Sequence, residues 1–301
     1  DTKDGEWLLE KGQIKIETAL GLLKPILEDS SVLKVGHNIK YDIEVLAQYG
    51  INVAPTDDTM ILSYVLEGGK HRHGLDELSQ LYLDHTTIKF KELTGTGKSK
   101  ITFDKVPIID ALEYAAEDAD ITDRLFRILK PRLYCDRMVA VYEKLERPLI
   151  RILKNMEECG VKLDTHRLLI LSEDFSKRLV ELETQIFKLA GKSFNVGSPK
   201  QLGEILFEEM KLPGGKKGKS GSYGTGSEIL EDLILQGYEF PKIILDWRQL
   251  AKLKSTYTDS LLNQVNPKTG RVHTNYGQAI ASTGRLSSTE PNLQNIPIRT
   301  D

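Results

Sequence analysis

Apolar residues recur along the chain in two different regimes, and the change between them divides it. The stretch "ALGLLKPILEDSSVLKVGHN" (19–38) predicts a short helix followed by a buried strand around 32–35. "IKYDIEVLAQYG" (39–50) reads as a helix with Ile39, Ile43 and Leu46 on one face and Gly50 as its stop. Further helices are expected at about 57–68, 74–83 and 108–134, with a Gly/Lys loop, "LTGTGKSKITF", between the last two. Alternating helix and strand signals of this kind predict an α/β domain over residues 1–135.

From about residue 138 the pattern becomes one of long amphipathic helices. "VYEKLERPLIRILKNMEECG" is expected to bend at Pro148, whose ring denies the helix one N–H. In "DTHRLLILSEDFSKRLVELETQIFKLAG", Asp164 is placed to cap, and Leu168, Phe175, Leu179, Leu182, Ile186 and Leu189 form a stripe that ends at Gly191. "SPKQLGEILFEEM" offers Ser198 as cap, Pro199 in the first turn and Gln201 to close a capping box. A loop follows with Lys211, Lys216, Lys217 and Lys219, then a helix pair, the turn "NPKTG" and the alternating strand "RVHTNYG" (271–277). Residues 136–301 thus read as a second domain.

Composition narrows the classes without choosing among them. With 301 residues and 40% apolar content, two cores can be filled. A net charge of −3 means that any polyanion must be met by local basic patches. Cys135 and Cys159 form no C-x-x-C pair, which argues against a disulfide scaffold or zinc site and fits a reducing, cytosolic setting. No apolar run approaches a membrane span, and no signal pattern opens the chain. A chain starting at Asp1 and stopping at Asp301 reads as a section of a longer one.

The candidate chemistry lies in two pairs at helical spacing, Asn38 with Asp42 and Tyr114 with Asp118. Each pair alone fits a cap or a solvated face. Carboxylates that converge from separate elements, with a tyrosine hydroxyl to orient water, suit phosphodiester hydrolysis assisted by two divalent metals. "VGHNIKYDIEVLAQYGI" and "YAAEDADIT" resemble the second and third motifs of the DEDD-type 3′→5′ exonucleases. The wider run "HNIKYD…DDTMILSYVLE…HGLDELSQLYL…YAAEDADIT" resembles the proofreading domain of family A DNA polymerases. That resemblance implies Asp42 and Asp118 as ligands of Mg2+ or Mn2+, Tyr114 as orienter of the water, Asn38 as a contact to the primer strand and Arg72 as a contact near its 3′ end. The family's first motif, D-x-E on an apolar strand, has no match: Asp4-Gly5-Glu6 fits the letters but lacks a β-branched run around it. With two ligands in place of four, little or no hydrolysis is expected of these residues alone. His71 and His73, without a third ligand nearby, read as surface residues.

A second constellation follows in "WRQLAKLKSTYTD", where Arg248, Lys252, Lys254, Ser255, Thr256 and Tyr257 could form a phosphate rail that ignores base sequence. "TGRLSSTEPNLQNIP" (283–297) carries one Arg among small polar residues and by composition alone is a solvated loop. Taken together, "AKLKSTYTDSL…NPKTGRVHTNYGQAIASTGRLSSTEPNLQNIPIR" is similar to the thumb-to-palm passage of family A DNA polymerases. By that resemblance Arg285 meets the minor groove at the primer end, and Ser287, Asn292, Gln294 and Asn295 contact duplex DNA. The implied architecture is an RNase H-like α/β exonuclease fold without its first strands, then a mainly helical thumb and the start of a palm. Implied partners are primer–template DNA and single-stranded 3′ ends, with deoxynucleotides in the complete enzyme. The resemblance also implies a monomer in the bacterial cytoplasm, beside the nucleoid and away from membranes. A free-standing exonuclease acting on RNA would have no use for residues 240–299, and a DNA clamp with a decayed exonuclease would have no use for Asp42, Tyr114 and Asp118.

Overall fold

Asn38 takes a left-handed backbone conformation, φ 59° and ψ 45°, immediately before the helix Ile39–Ala47. It turns the chain sharply out of a strand, and asparagine tolerates that conformation better than most residues. In the computed structural model, residues 2–3, 6–7, 13–218 and 221–297 are described. Asp4, Gly5, Lys219 and Arg299 lie outside them.

Two compact units divide the chain, one of residues 1–159 with 274–294 and the other of 160–273 with 295–301. The first contains α1 (Ile16–Glu28), β1 (Lys34–Gly36), α2 (Ile39–Ala47), β2 (Thr56–Asp58), α3 (Thr59–Glu67), α4 (Leu75–Leu83), α5 (Ile108–Cys135) and α6 (Arg147–Cys159). β1 and β2 pair in parallel, Val35 opposite Asp57, with α2 as the crossover. A side chain at Gly36 would strike Ile39, its Cβ coming within 2.8 Å, so only glycine lets the strand pass the start of α2 so closely. The strand is shorter and more exposed than the expected buried run at 32–35, since Val32 and Leu33 face solvent. The expected apolar face of α2 does bury: Ile39 and Ile43 join Ile61, Leu62, Leu78, Leu125, Leu129 and Ile150 in one core, with Leu46 against it. Where a bend is expected at Pro148, the helix takes a π-type widening over Tyr142–Glu146, just ahead of it. Pro148 has no N–H for the carbonyl of Lys144, and the longer-reach bonds of that turn absorb the loss.

The second unit is mainly helical, as expected for the thumb. Asp164 accepts the Arg167 N–H at 2.9 Å ahead of α7 (Thr165–Ala190), which ends at Gly191 with φ 72°. Ile186 is fully buried with Val196, Leu202, Ile205, Leu206, Leu230, Phe240 and Ile244. Leu189 turns outward, and Phe187 and Ala190 pack in its place. Ser198 caps α8 (Pro199–Glu204), but the capping box does not close: the Gln201 side chain accepts from the Asn195 N–H at 2.8 Å. The helices α9 (Ser227–Leu235) and α10 (Phe240–Lys252) form the expected pair.

The single strand expected over 271–277 is two. Arg271–Val272 pairs with Val161–Lys162 in the second unit, whereas Asn275–Gly277 pairs with Ser287–Thr289 in the first.

Candidate active site and nucleic-acid interface

Asn38 of the β1–α2 turn, Asp42 of the first turn of α2 and Tyr114 and Asp118 of α5 line one cavity of about 790 Å³, together with His37, Asp76 and Asp123. The two pairs at helical spacing, far apart in sequence, thus meet across one space.

The carboxylates of this cavity divide: against its burial, hydrogen bonds from Lys89 and Thr87 hold Asp76 below its ordinary value, whereas Asp42 and Asp118 are raised. Burial pushes the Asp42 carboxyl above its ordinary value. Burial also raises Asp118, with the charges of Glu117 and Asp76 adding to the rise and a hydrogen bond from Tyr114 opposing it. The Tyr114 hydroxyl is pushed up to about 12, first by burial and then by the Asp118 charge. Asp42 and Asp118, unlike Asp76 and Asp123 with their Lys89 and Arg127 partners at 2.8 and 2.7 Å, are raised without a cation to offset it, the condition that a divalent cation with oxygen ligands relieves. The donor set fits such an ion in kind, with Asp42 and Asp118 as its hard oxygen ligands. In number it falls short, because no three Asp, Glu, His or Cys side chains cluster to hold a metal among the described residues.

Asp58 builds the site without lining it. Its carboxylate is buried and accepts the N–H groups of Asn38 at 3.1 Å and Ile39 at 2.9 Å, and also those of Met60 and Ile61 at the start of α3. One side chain thereby caps α3 and ties down Asn38 and the start of α2, the helix that carries Asp42. Burial raises its pKa to about 6, against the four N–H groups that favour the anion. The sequence signal was an Asp one residue before a helical run, which the expected helix at 57–68 swallowed. His37 donates to or accepts from Thr59 Oγ1 at 2.9 Å, and burial lowers its pKa to about 4, so it is a neutral imidazole.

Arg72 does not line the cavity of the carboxylates. It lies on a second one, of about 860 Å³, formed with Lys70, His71, Tyr64, Glu77 and Ser282. The neighbouring histidines are not the surface residues expected. His73 is buried with Nδ1 2.8 Å from Ser63 Oγ, and His71 Nε2 lies 2.8 Å from Glu67.

The basic residues expected to form a rail differ in what they are free to do. Lys252, Ser255 and Thr256 are exposed. Lys254 pairs with Asp259 at 2.6 Å. The Arg248 guanidinium is held internally, donating to the carbonyl of Thr225 and, at 3.1 Å, to its hydroxyl. Tyr257 donates to the carbonyl of Asn295 at 2.5 Å.

The polar run 283–297 is neither a loose loop nor uniformly exposed. Ser288 is buried and bridges Thr274 Oγ1, 2.7 Å away, to the Leu293 N–H at 3.1 Å. Gln294 Nε2 donates to the Leu286 carbonyl at 2.8 Å. Ser287 is half-buried at the hairpin, while Arg285, Asn292, Gln294 and Asn295 remain exposed.

Comparison with known proteins divides the chain in a similar way. Residues 1–134 match the 3'-5' exonuclease family, and residues 165–301 match DNA polymerase family A. The chain is 53% identical over 292 residues to DNA polymerase I of Rhizobium leguminosarum, covering 97% of this chain and 29% of that protein. It is 47% identical to DNA polymerase I of Pseudomonas aeruginosa, covering 96% of this chain and 32% of the relative. The chain thus spans about a third or less of the length of these curated relatives. Among solved structures, the POL domain of Pol1 from M. smegmatis, in complex with DNA primer-template and dNTP, superposes with a TM-score of 0.78 at 32% identity. That match covers 97% of this chain and 48% of the other.

Proposed function

Residues 1–134 belong to the 3'-5' exonuclease family and residues 165–301 to DNA polymerase family A, and from that membership we propose that the chain is the proofreading and thumb portion of a DNA-directed DNA polymerase I. The whole enzyme extends primers in replication and repair and trims mismatched 3′ ends. The functional division runs near residue 135, with the thumb and the beginning of the palm after it.

The reading rests on one observation above the rest: Asp42, Tyr114 and Asp118 line a single cavity from two separate elements. Asp42 and Asp118 hold the divalent cation, Mg2+ or Mn2+. When bound, such an ion polarises the scissile phosphoryl group and acidifies water. Tyr114, protonated at any working pH, orients the attacking water from beside Asp118. Asn38 meets the primer strand at the cavity rim, and Arg72, on the second cavity, contacts the same strand near its 3′ end. The family resemblance calls for two further ligands from a D-x-E motif, for which the sequence offers no match beyond the letters of Asp4-Gly5-Glu6.

Lys252, Ser255 and Thr256 grip backbone phosphates, with Lys254 and Tyr257 shaping that surface. Arg285, Ser287, Asn292, Gln294 and Asn295 face the duplex, where minor-groove acceptors recur at every correct pair and allow geometry to be sensed without reading sequence. Arg248 is left out of this surface, because its guanidinium is already engaged by Thr225. Primer–template DNA, single-stranded 3′ ends and, in the complete enzyme, deoxynucleotides are the partners of a monomer working at the bacterial nucleoid. Among the described residues no helix is long and apolar enough to cross a membrane.

The deciding experiment is excision of a mismatched 3′ nucleotide by the full-length protein. Asp42→Asn and Asp118→Asn should each lower the excision rate by about 100-fold or more while leaving extension of a matched primer in place. Excision at the wild-type rate by either variant would refute the assignment.

A further inference from the structure

Tyr276, in the middle strand position of the hairpin that carries Arg285 and Ser287, is gripped at both of its backbone groups. Lys40 Nζ donates to its carbonyl at 2.8 Å, across 236 residues of sequence. Glu157 Oε1 accepts its N–H at 2.5 Å, across 119 residues. Lys40 and Glu157 also pair with each other, and they are only 7% and 6% exposed. Two further anchors flank the grip. Gln278 Nε2 donates to the backbone and side chain of Glu146, each at 3.0 Å, and Tyr64 donates to the Ala281 carbonyl at 2.8 Å.

Lys40 belongs to α2, two residues before Asp42, and Glu157 to α6. Tyr276 stands opposite Ser288 in the hairpin, and Gly277 opposite Ser287. A single ion pair thus links the helix of the carboxylate cavity to the strand that sets the register of the DNA-facing hairpin. Burying two charges carries a desolvation cost that apolar residues of similar size avoid, so stability alone does not account for this pair. The best-attested use of such pairs is to fix register. Tyr276 also has exposed-edge chemistry: unless something takes its N–H and carbonyl, an edge strand is free to slip or to pair elsewhere.

We infer that Lys40 and Glu157 are positioning residues that lock the hairpin 275–289 to α2, so that the placement of a primer end for extension and for excision is set by one rigid connection. The inference rests on the function proposed above only for its catalytic consequence; the mechanical lock stands on geometry alone. Neither residue touches the reacting atoms.

The test uses the full-length protein and the double variant Lys40→Met with Glu157→Met, which removes both charges of the pair together; Glu44, whose carboxyl burial and Glu157 push up to about 8, stays behind beside them. Hydrogen exchange read by mass spectrometry on peptides spanning 274–279 should show the Tyr276 amide protected in the wild type and exchanging about tenfold faster or more in the variant. The ratio of extension to excision on a matched primer should shift by about 2- to 30-fold, with excision still detectable because Asp42, Tyr114 and Asp118 are intact. A wild-type Tyr276 amide that exchanges as fast as a solvent-exposed one overturns the lock whether or not the variant folds. Unchanged exchange in the variant overturns it as well. Faster exchange with an unchanged ratio overturns the link between the two activities. A wild type with neither activity refutes the functional reading, and the exchange measurements then decide the lock by themselves.

Discussion

The Asp58 carboxylate accepts the backbone N–H of Ile39 at 2.9 Å while the same side chain caps α3 through Met60 and Ile61. Two helices therefore start on one buried anion, and Asn38 and the start of α2, the helix that carries Asp42, are fixed from beneath. Asp58→Ala leaves buried N–H groups without acceptors and should lower unfolding stability by about 2 kcal/mol or more, measured by denaturant titration. Asp58→Asn, which keeps an acceptor oxygen, should lose less.

Asp58 and Glu67 give opposite pH signatures. The folded pKa of Asp58 is raised to about 6 from 3.8, so the folded state binds its proton more tightly. Its contribution to stability is greatest at low pH and declines as pH rises from about 4 to about 6. Glu67 is lowered to about 2 from 4.5, first by the Tyr82 hydroxyl and then by Arg132 and His71. Its contribution is complete above about 4.5 and is lost as pH falls toward 2. Melting temperatures of Asp58→Asn and Glu67→Gln, each subtracted from wild type across pH 3 to 7, should bend in these two separate windows.

Tyr114→Phe removes the hydroxyl and keeps the ring against Phe90 and Phe103, with centroids 6.1 Å and 5.9 Å away. Excision should slow by about tenfold or more without loss of folding. Because the hydroxyl titrates only near 12, its removal should leave the shape of the pH–rate profile between 6 and 9 unaltered. A profile that changes shape would mean that the hydroxyl acts on protonation, by its own transfer or through the hydrogen bond that holds Asp118 down, and not by orienting water alone.

Arg248, Lys252 and Arg285 should separate into three phenotypes. Lys252→Ala should reduce the slope of log binding constant against log salt by about 1. Arg285→Ala should slow extension from a primer end more than it weakens binding. Arg248→Ala should leave the salt slope unchanged and lower stability by about 1–3 kcal/mol, since its bonds go to Thr225. Equal salt slopes for Lys252→Ala and wild type would remove Lys252 from the phosphate surface.

The periodic helices were legible from apolar spacing alone, as α2, α5 and α7 show, because a buried stripe is written into the order of residues. The meeting of Asp42 with Tyr114 and Asp118 was legible only through family resemblance, since no local rule brings residues that far apart together. The roles of Asp58, Lys40 and Glu157 were not legible. A buried charged residue looks like a surface one in sequence: apart from the local cap that Asp58 makes to Met60 and Ile61, the partners lie 19 to 236 residues away. Arg248 shows the converse: a cation on an amphipathic helix advertised itself to a phosphate, and a threonine hydroxyl and carbonyl already occupied it. The strand over 271–277 misled for a similar reason, as alternation specifies a pleat without naming the partner on either side.

The return of residues 274–294 to the first unit has a consequence for biosynthesis. A ribosome that has just completed Glu157 has already made Lys40, but Tyr276, whose N–H and carbonyl they will hold, is still 119 residues from being translated. Until then two charges must stay hydrated at a surface that later becomes interior, while the whole helical insert forms on the tether between them and their target. Cutting a gene fragment at residue 159 would freeze that unfinished state, so a soluble version of the first unit calls for grafting the hairpin back onto it with a short linker.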